Sequence, residues 1–394
     1  MESRANSVRS VLSRLAMVVF LGLLSYVVLS CAAIPSSVSA AQAMQADEVQ
    51  PDSGAGTVIV HPKLGGQILG YDIDRNGTEG LLSEYVSLGN GNNNVATETF
   101  DQKTGKILKV VAKKTDTQDD YVTHGIWGGV GVVMFEHTIS LFHVVRTFHT
   151  IDPLNGNKFT GRWTPPIKKD YQLWTTSVSP EGTANVAAYQ VTFNGTFKGD
   201  VFSANVANNT FGPQIHLKLG DLPLLAYDSK TNQAVLAYSA APTTHPVLQT
   251  VDLAKGKVRK FSALGVDIVN GLAVDSATGT ACITTEGGPF TPPMVEFYDL
   301  AKRTGFGVPM PGANFGLDVE FDPINKLFLV AEGDFVNFSI LVFDEKGNLQ
   351  ETIPVQKLPV SPSLIALNPS KRIGFVPVIV EPQHEFLELQ SFKY

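Results

Sequence analysis

Downstream of residue 57 the chain is written in short apolar runs separated by turn-forming residues. One unit recurs: an apolar run, Asp or Asn, four or five turn formers, then a second apolar run. It reads Leu225-Ala226-Tyr227-Asp228 to Ala234-Val235-Leu236, and Leu272-Ala273-Val274-Asp275 to Ala281-Cys282-Ile283. It returns at Val319-Glu320-Phe321-Asp322 and at Ile365-Ala366-Leu367-Asn368, with weaker copies at Ser177-Val178-Ser179 and Leu69-Gly70-Tyr71-Asp72. The anchors 179, 228, 275, 322 and 368 are 49, 47, 47 and 46 residues apart. The 107 residues from 72 to 179 leave room for two units, one of them degenerate near Gly125-Ile126-Trp127-Gly128-Gly129.

A second hairpin signal interleaves with the first. It is seen at Phe100-Asp101, Ile151-Asp152, Val251-Asp252, Tyr298-Asp299 and Phe343-Asp344, each followed by a short turn that in most copies contains Gly. Two hairpins per unit make four short antiparallel strands, the content of one propeller blade. A period near 47 over residues 57–394 predicts an all-β, seven-bladed β-propeller. The chain stops one strand short of a full last blade, and Thr57-Val58-Ile59-Val60-His61 is a lone strand ahead of the first. Pairing the two would close the ring and remove an open edge. The recurring Asp residues read first as turn caps, because Asx side chains bond their own downstream backbone.

Residues 1–40 form an address rather than a blade. Arg4, Arg9 and Arg14 precede twenty uncharged residues, Leu15 to Ile34, with small-residue cleavage sites near Ala40 and Ala43. A cleaved secretory signal, a lipid anchor at Cys31 and an uncleaved membrane anchor all stay open. Residues 41–56 read as a flexible tether and 57–394 as the propeller. The implied location is secreted or cell envelope, with membrane contact only through the N-terminal segment. Cys282 is then the one cysteine of the exported part, in an apolar run that suits a buried thiol.

Composition narrows the partners. The 30 basic and 37 acidic residues give a net charge of −7, and no Lys/Arg run forms a stripe, so nucleic acid is not expected. Serine-hydrolase, zincin and phosphate-loop motifs are missing. His124, His137, His143 and His149 fall in the degenerate unit at spacings that match no zinc motif. Asn76, Asn194, Asn208 and Asn337 head N-x-S/T sequons.

Departures from the repeat are the better functional signal. Where other units carry Ala226, Ala273, Ala366 or Ser177, the sixth carries Glu320, with Asp318 two residues earlier on the same side. A carboxylate on an inner strand needs a cation, a metal or channel water. Asp318 and Glu320 are the catalytic candidates. Polar residues expected at one rim are Asp267, Asn270, Asn314, Glu84, Glu136, His137, Glu286, Glu332 and Asp334. Acidic groups beside Gly suit Ca²⁺ or another divalent cation, with Asn270 and Glu320 as metal candidates.

The repeat resembles exported seven-bladed propellers of the YVTN-type and gluconolactonase-like class. Asn270-Gly271-Leu272-Ala273-Val274-Asp275 resembles the segment that supplies one Asn ligand to the divalent cation of gluconolactonase-like propellers. The Trp/Glu-Gly-Pro segment of their first blade is absent. The expected function is binding of a partner protein, glycan or small ligand through the acidic channel rim. Divalent-cation-dependent, lactonase-like hydrolysis in the channel is the alternative.

Overall fold

The computed structural model describes residues 57–394 except 89–92, 117–118, 141–142, 153–157, 194–196, 220–221, 240–245, 264–267, 287–291, 311–314, 334–337, 356–357, 360–364 and 382–383. The N-terminal address, the tether, Asp267, Asn314, Asp334 and the sequons at Asn194 and Asn337 lie outside the described residues. Among those described, no helix is long and apolar enough to cross a membrane.

The described chain forms seven antiparallel sheets in sequence order, and it is a seven-bladed β-propeller. Blade 5 shows the plan. Its strands Val269–Asp275, Thr280–Thr285, Met294–Asp299 and Thr304–Pro309 pair in the order in which they occur. The last blade is the exception the sequence leads one to expect. Ile59–Val60 pairs with His384–Lys393 through Ile59 opposite Gln390 and Val60 opposite Leu389, so the two ends of the propeller share one sheet.

Seven buried apolar clusters lie between successive blades. Trp127, Trp163 and Phe202 join blades 2 and 3, Phe297, Phe321 and Phe328 join blades 5 and 6, and Tyr71, Leu82 and Phe375 join blade 7 to blade 1. A strand residue facing one neighbour is followed by one facing the other, so both faces of each blade are apolar. Cys282 is buried in the cluster between blades 5 and 6. Burial, then the nearby Glu296 carboxylate, pushes its thiol well up, which makes it inert.

The inner turns follow one recipe. Asp228 Oδ1 accepts from the amides of Lys230 and Thr231 at 3.1 and 3.2 Å. Asp275 accepts from Ala277 at 2.8 Å, and Asp322 from Ile324 and Asn325 at 2.8 Å each. Four residues past these anchors the backbone turns left-handed, at Asn232, Gly279 and Lys326, and only Gly279 does so without a Cβ penalty.

Register corrects two details of the repeat. In blade 1 the cap is Asp74, not Asp72: Asp74 Oδ1 takes the Asn76 amide at 3.0 Å, and the Asp74 amide bonds the Glu79 carbonyl. In blade 2 the inner hairpin shrinks to Gly128-Gly129 between Trp127 and Val130, with both glycines at positive φ. With these anchors, five inner strands bulge at the same place, five residues before the turn: Leu69, His124, Trp174, Asn270 and Leu317.

Candidate functional site

The inner strands of all seven blades line one central cavity of 280 Å³. Its walls follow from the residue two places before each inner turn. That position holds Asp72, Trp127, Ser177, Ala226, Ala273, Glu320 and Ala366 around the ring. Blades 4 and 5 present Leu224, Ala226, Leu272 and Ala273, while blades 1 and 6 present Asp72, Arg75, Asp318 and Glu320. The channel is therefore apolar on one side and charged on the other.

Arg75 closes the end of this channel nearest the inner turns. It stands one residue past the blade 1 anchor and is 6% exposed. Its Nη2 donates to Glu320 Oε2 of blade 6 at 3.1 Å, and its Nη1 donates to the Pro180 carbonyl of blade 3 at 3.2 Å. One side chain thus ties three blades together across the ring. Gly182 lets it pass, since a Cβ there would sit 2.9 Å from Arg75 Cδ. Burial works against the guanidinium charge, but the Glu320 and Asp72 carboxylates outweigh it and raise the Arg75 pKa. Glu320 keeps 31% of its side chain exposed, so it is the charge a channel ligand would meet.

Asp72 and Asp318 act as latches between inner strands. Asp72 Oδ1 takes its own following amide, Ile73, at 2.8 Å, and Oδ2 takes Ile126 of blade 2 at 2.8 Å. Asp318 repeats the geometry with Val319 at 2.8 Å and Ile365 of blade 7 at 2.7 Å. Burial raises the Asp72 pKa to about 6, against the opposing pull of Arg75. Burial and then the Glu320 charge hold Asp318 well above the usual carboxylate range. Tyr71, beside them, is pushed up by burial and then by Asp318. His124, on the blade 2 bulge, sits edge-on to Phe148 and is pushed down to about 4 by burial and then by Arg146, so it stays neutral.

Of the residues expected from sequence, the structure gathers Asp318, Glu320 and Asn270 in this cavity. The others stand elsewhere. Glu84 is fully buried against the backbone of residues 64 and 66, and Glu332 is buried and accepts from Ser339 at 2.8 Å. Glu136 pairs with Arg146 at 2.7 Å, and His137 beside it is exposed. Glu286 is half-buried and its backbone bridges to Phe315. Sequence reasoning missed Asp72, read as a cap, and Arg75. Both become departures from the repeat once Asp74 is the anchor, because blades 4 and 5 carry Ser229 and Ser276 where blade 1 has Arg75.

The polar groups of the cavity are engaged with one another. Asn270 Nδ2 donates to the Gly316 carbonyl at 2.7 Å, which turns the amide to the next blade, and Glu320 faces a guanidinium. Among the described residues no three His, Cys, Asp or Glu side chains are grouped to hold an ion. Ca²⁺ wants six or more oxygens, and the Arg75 charge lies where they would have to converge, so these residues do not fit such an ion. Compared with protein-family models and with curated protein sequences, the chain matches none.

Proposed function

We propose that this is an exported propeller whose channel binds a small organic cation with an apolar body. The observation that carries the reading is the two-sided cavity. Three carboxyl groups and one guanidinium share one wall, and the aliphatic side chains of blades 4 and 5 form the other. The ammonium end would lie near Glu320, whose second oxygen is outside the Arg75 pair, and the body against Leu224 and Leu272. Burial is the main cause that lifts Asp72 and Asp318, and a cation there would offset the smaller contribution of the Glu320 charge. Export rests on residues 1–40 alone. The gluconolactonase-like resemblance supports the ring and an Asn at position 270, and no step of lactone hydrolysis is derived from it.

Calorimetric titration of the full chain with n-butylammonium, n-butyrate and n-butanol tests the reading. Butylammonium should bind in the millimolar range, butyrate should not, and Glu320→Gln should weaken the amine about tenfold, the 1.4 kcal/mol expected of one partly screened charge contact. Equal binding of the three probes, or an unaltered amine affinity in Glu320→Gln, would remove it.

A further inference from the structure

Outside the channel, two carboxyl groups are buried side by side where the chain enters blade 1. Glu84, on the strand Glu79–Ser87, and Glu98, on Asn93–Asp101, are both fully buried. Glu84 stands opposite Ala96 and Glu98 opposite Leu82, so the two are diagonal neighbours on one sheet face. Leu82 and Phe100 share that face and pack on Phe375 and Leu389, so it is turned toward blade 7. Both acids grip the segment that links the closing strand to the first inner strand. Glu84 Oε1 accepts from the Leu64 amide at 2.8 Å and Oε2 from Gly66 at 3.3 Å, while Glu98 Oε2 accepts from Lys63 at 3.0 Å. Glu98 Oε1 meets no N–H donor. It is buried without a hydrogen-bond partner beside the diagonal Glu84 carboxyl, and a proton on the pair would let one acid donate to the other.

The gripped segment is part of the ring closure. Its other end, Val58 to Val60, is stitched to the last blade: the Ser391 amide donates to the Val58 carbonyl at 2.8 Å, and the Val58 amide donates to Ser391 Oγ at 2.6 Å. Gly66 presses close, since a Cβ there would fall 2.0 Å from the Tyr85 carbonyl oxygen. One short piece of chain is thus held by the last blade at one end and by the acid pair at the other.

We propose that Glu84 and Glu98 form a proton-operated latch on this closing segment, shut while the pair holds one proton and loosened when it holds none. Without the proton two like charges would stand against each other away from water, and the three amides cannot offset both. The groups facing the pair supply little compensation. Ile68 stands opposite Glu84 on the inner strand and Val110 opposite Glu98 on the outer one, both apolar, and Lys113, opposite Ala96 on the same face, is exposed to solvent. Lys63 is exposed on the segment itself, and His61 is paired with Glu388 of the last blade. Burial raises both acids; it lifts Glu98 to about 7, helped by the Glu84 charge and opposed by the Lys63 amide, so the release falls near neutral pH. A carboxyl raised in the folded state stabilises below its ordinary range, and the contribution is lost as pH rises through the folded value.

Amide hydrogen exchange of the full chain, corrected for the intrinsic rate, reads the latch between pH about 5.5 and about 8.5. Residues 58–66 should lose roughly tenfold in protection over that span, the change expected for one pKa unit, while blade 5 holds its protection. Glu98→Gln, whose amide can donate to Glu84 at every pH, should abolish the dependence, and Glu84→Gln is the second variant if the first does not fold. A flat profile in the wild-type chain overturns the latch whatever the variants do. So does an unchanged slope in a folded variant. A slope confined to 58–66 and lost in either variant supports it.

Discussion

Blade 1 and blade 5 share a backbone plan and differ in what two positions carry. Two residues before the inner turn blade 5 has Ala273 and blade 1 has Asp72, and one residue after it blade 5 has Ser276 and blade 1 has Arg75. Blade 5 spends both positions on packing and a turn. Blade 1 uses them to reach across the ring, Asp72 to Ile126 of blade 2 and Arg75 to blades 3 and 6. The repeat supplies the frame, and charged exceptions on adjoining parts of the ring supply the chemistry.

The sharpest way to break that contrast is Arg75→Met. It strands Glu320 and Asp72 without a cation and opens the end of the channel. A broken buried pair costs about 3–5 kcal/mol, and because Glu320 is partly exposed we expect about 3 by urea denaturation. Ser276→Ala, at the matching place in blade 5, should fall within about 0.5 kcal/mol of the parent. Arg75→Met combined with Glu320→Gln should cost less than the first change alone, because the stranded charge goes with it. A cost below 1 kcal/mol for Arg75→Met would mean the tie across the ring is incidental.

Next in size is the turn that both blades share. Asp275 is buried and holds its turn through the Ala277 amide and the Thr278 hydroxyl, so Asp275→Ala should cost about 2 kcal/mol. Asp252→Ala, on an exposed outer turn of blade 4, should move the urea midpoint much less. Its half-buried carboxyl is lowered chiefly by the Lys255 amide, on a turn whose residues Ala254 to Lys257 are exposed. If the two midpoints shift equally, the inner caps carry no special weight.

How far the sequence discloses this depends on the kind of feature. The blades are legible because a hairpin repeat must be spelled out in each copy, and the closing strand is legible because one copy lacks its fourth strand. The channel chemistry is half legible. Glu320 stands out against Ala273 and Ala366, but Asp72 imitates a cap, and taking it as the anchor displaces Arg75 from the position where it would be noticed. The expected acidic rim was the least legible part. Whether a strand residue faces water or a neighbouring blade turns on a one-residue register, and the inner bulges shift that register without marking it in the sequence. Glu84 and Glu332 sit at the predicted strand ends and still point inward.

A smaller effect should appear in the pH dependence. Asp72 has a folded value of about 6 against an ordinary 3.8, so the folded chain binds this proton more tightly. Its contribution is complete below pH about 4 and is lost as pH rises through about 6, the direction linkage requires of a raised carboxyl. The loss should be about 1–2 kcal/mol once channel water is allowed for. Urea midpoints across that range should fall in the parent and fall less steeply in Asp72→Asn, where the raised Asp318 and Glu98 keep the rest of the slope. The matching Ala273 of blade 5 offers no such group, so Ala273→Ser should leave the profile as it is. A parent profile that Asp72→Asn leaves untouched would place the proton elsewhere.

The smallest change tests a candidate metal ligand that sequence and structure read differently. Asn270 stands on the blade 5 bulge, where the sequence suggests a cation ligand and the structure shows an amide donating to Gly316 of blade 6. Gly271 follows it so closely against that blade that a Cβ would lie 2.7 Å from the Val319 amide nitrogen, which keeps the two inner strands within reach of the bond. If the bond is a strand-to-strand tie, Asn270→Ala costs about 1 kcal/mol, the net worth of one hydrogen bond, and the cost is the same with and without chelator. If Asn270 holds an ion, chelator alone lowers the parent's stability and has no effect on the variant. Denaturation of both chains with and without chelator separates the two, and the geometry at Gly316 favours equal cost.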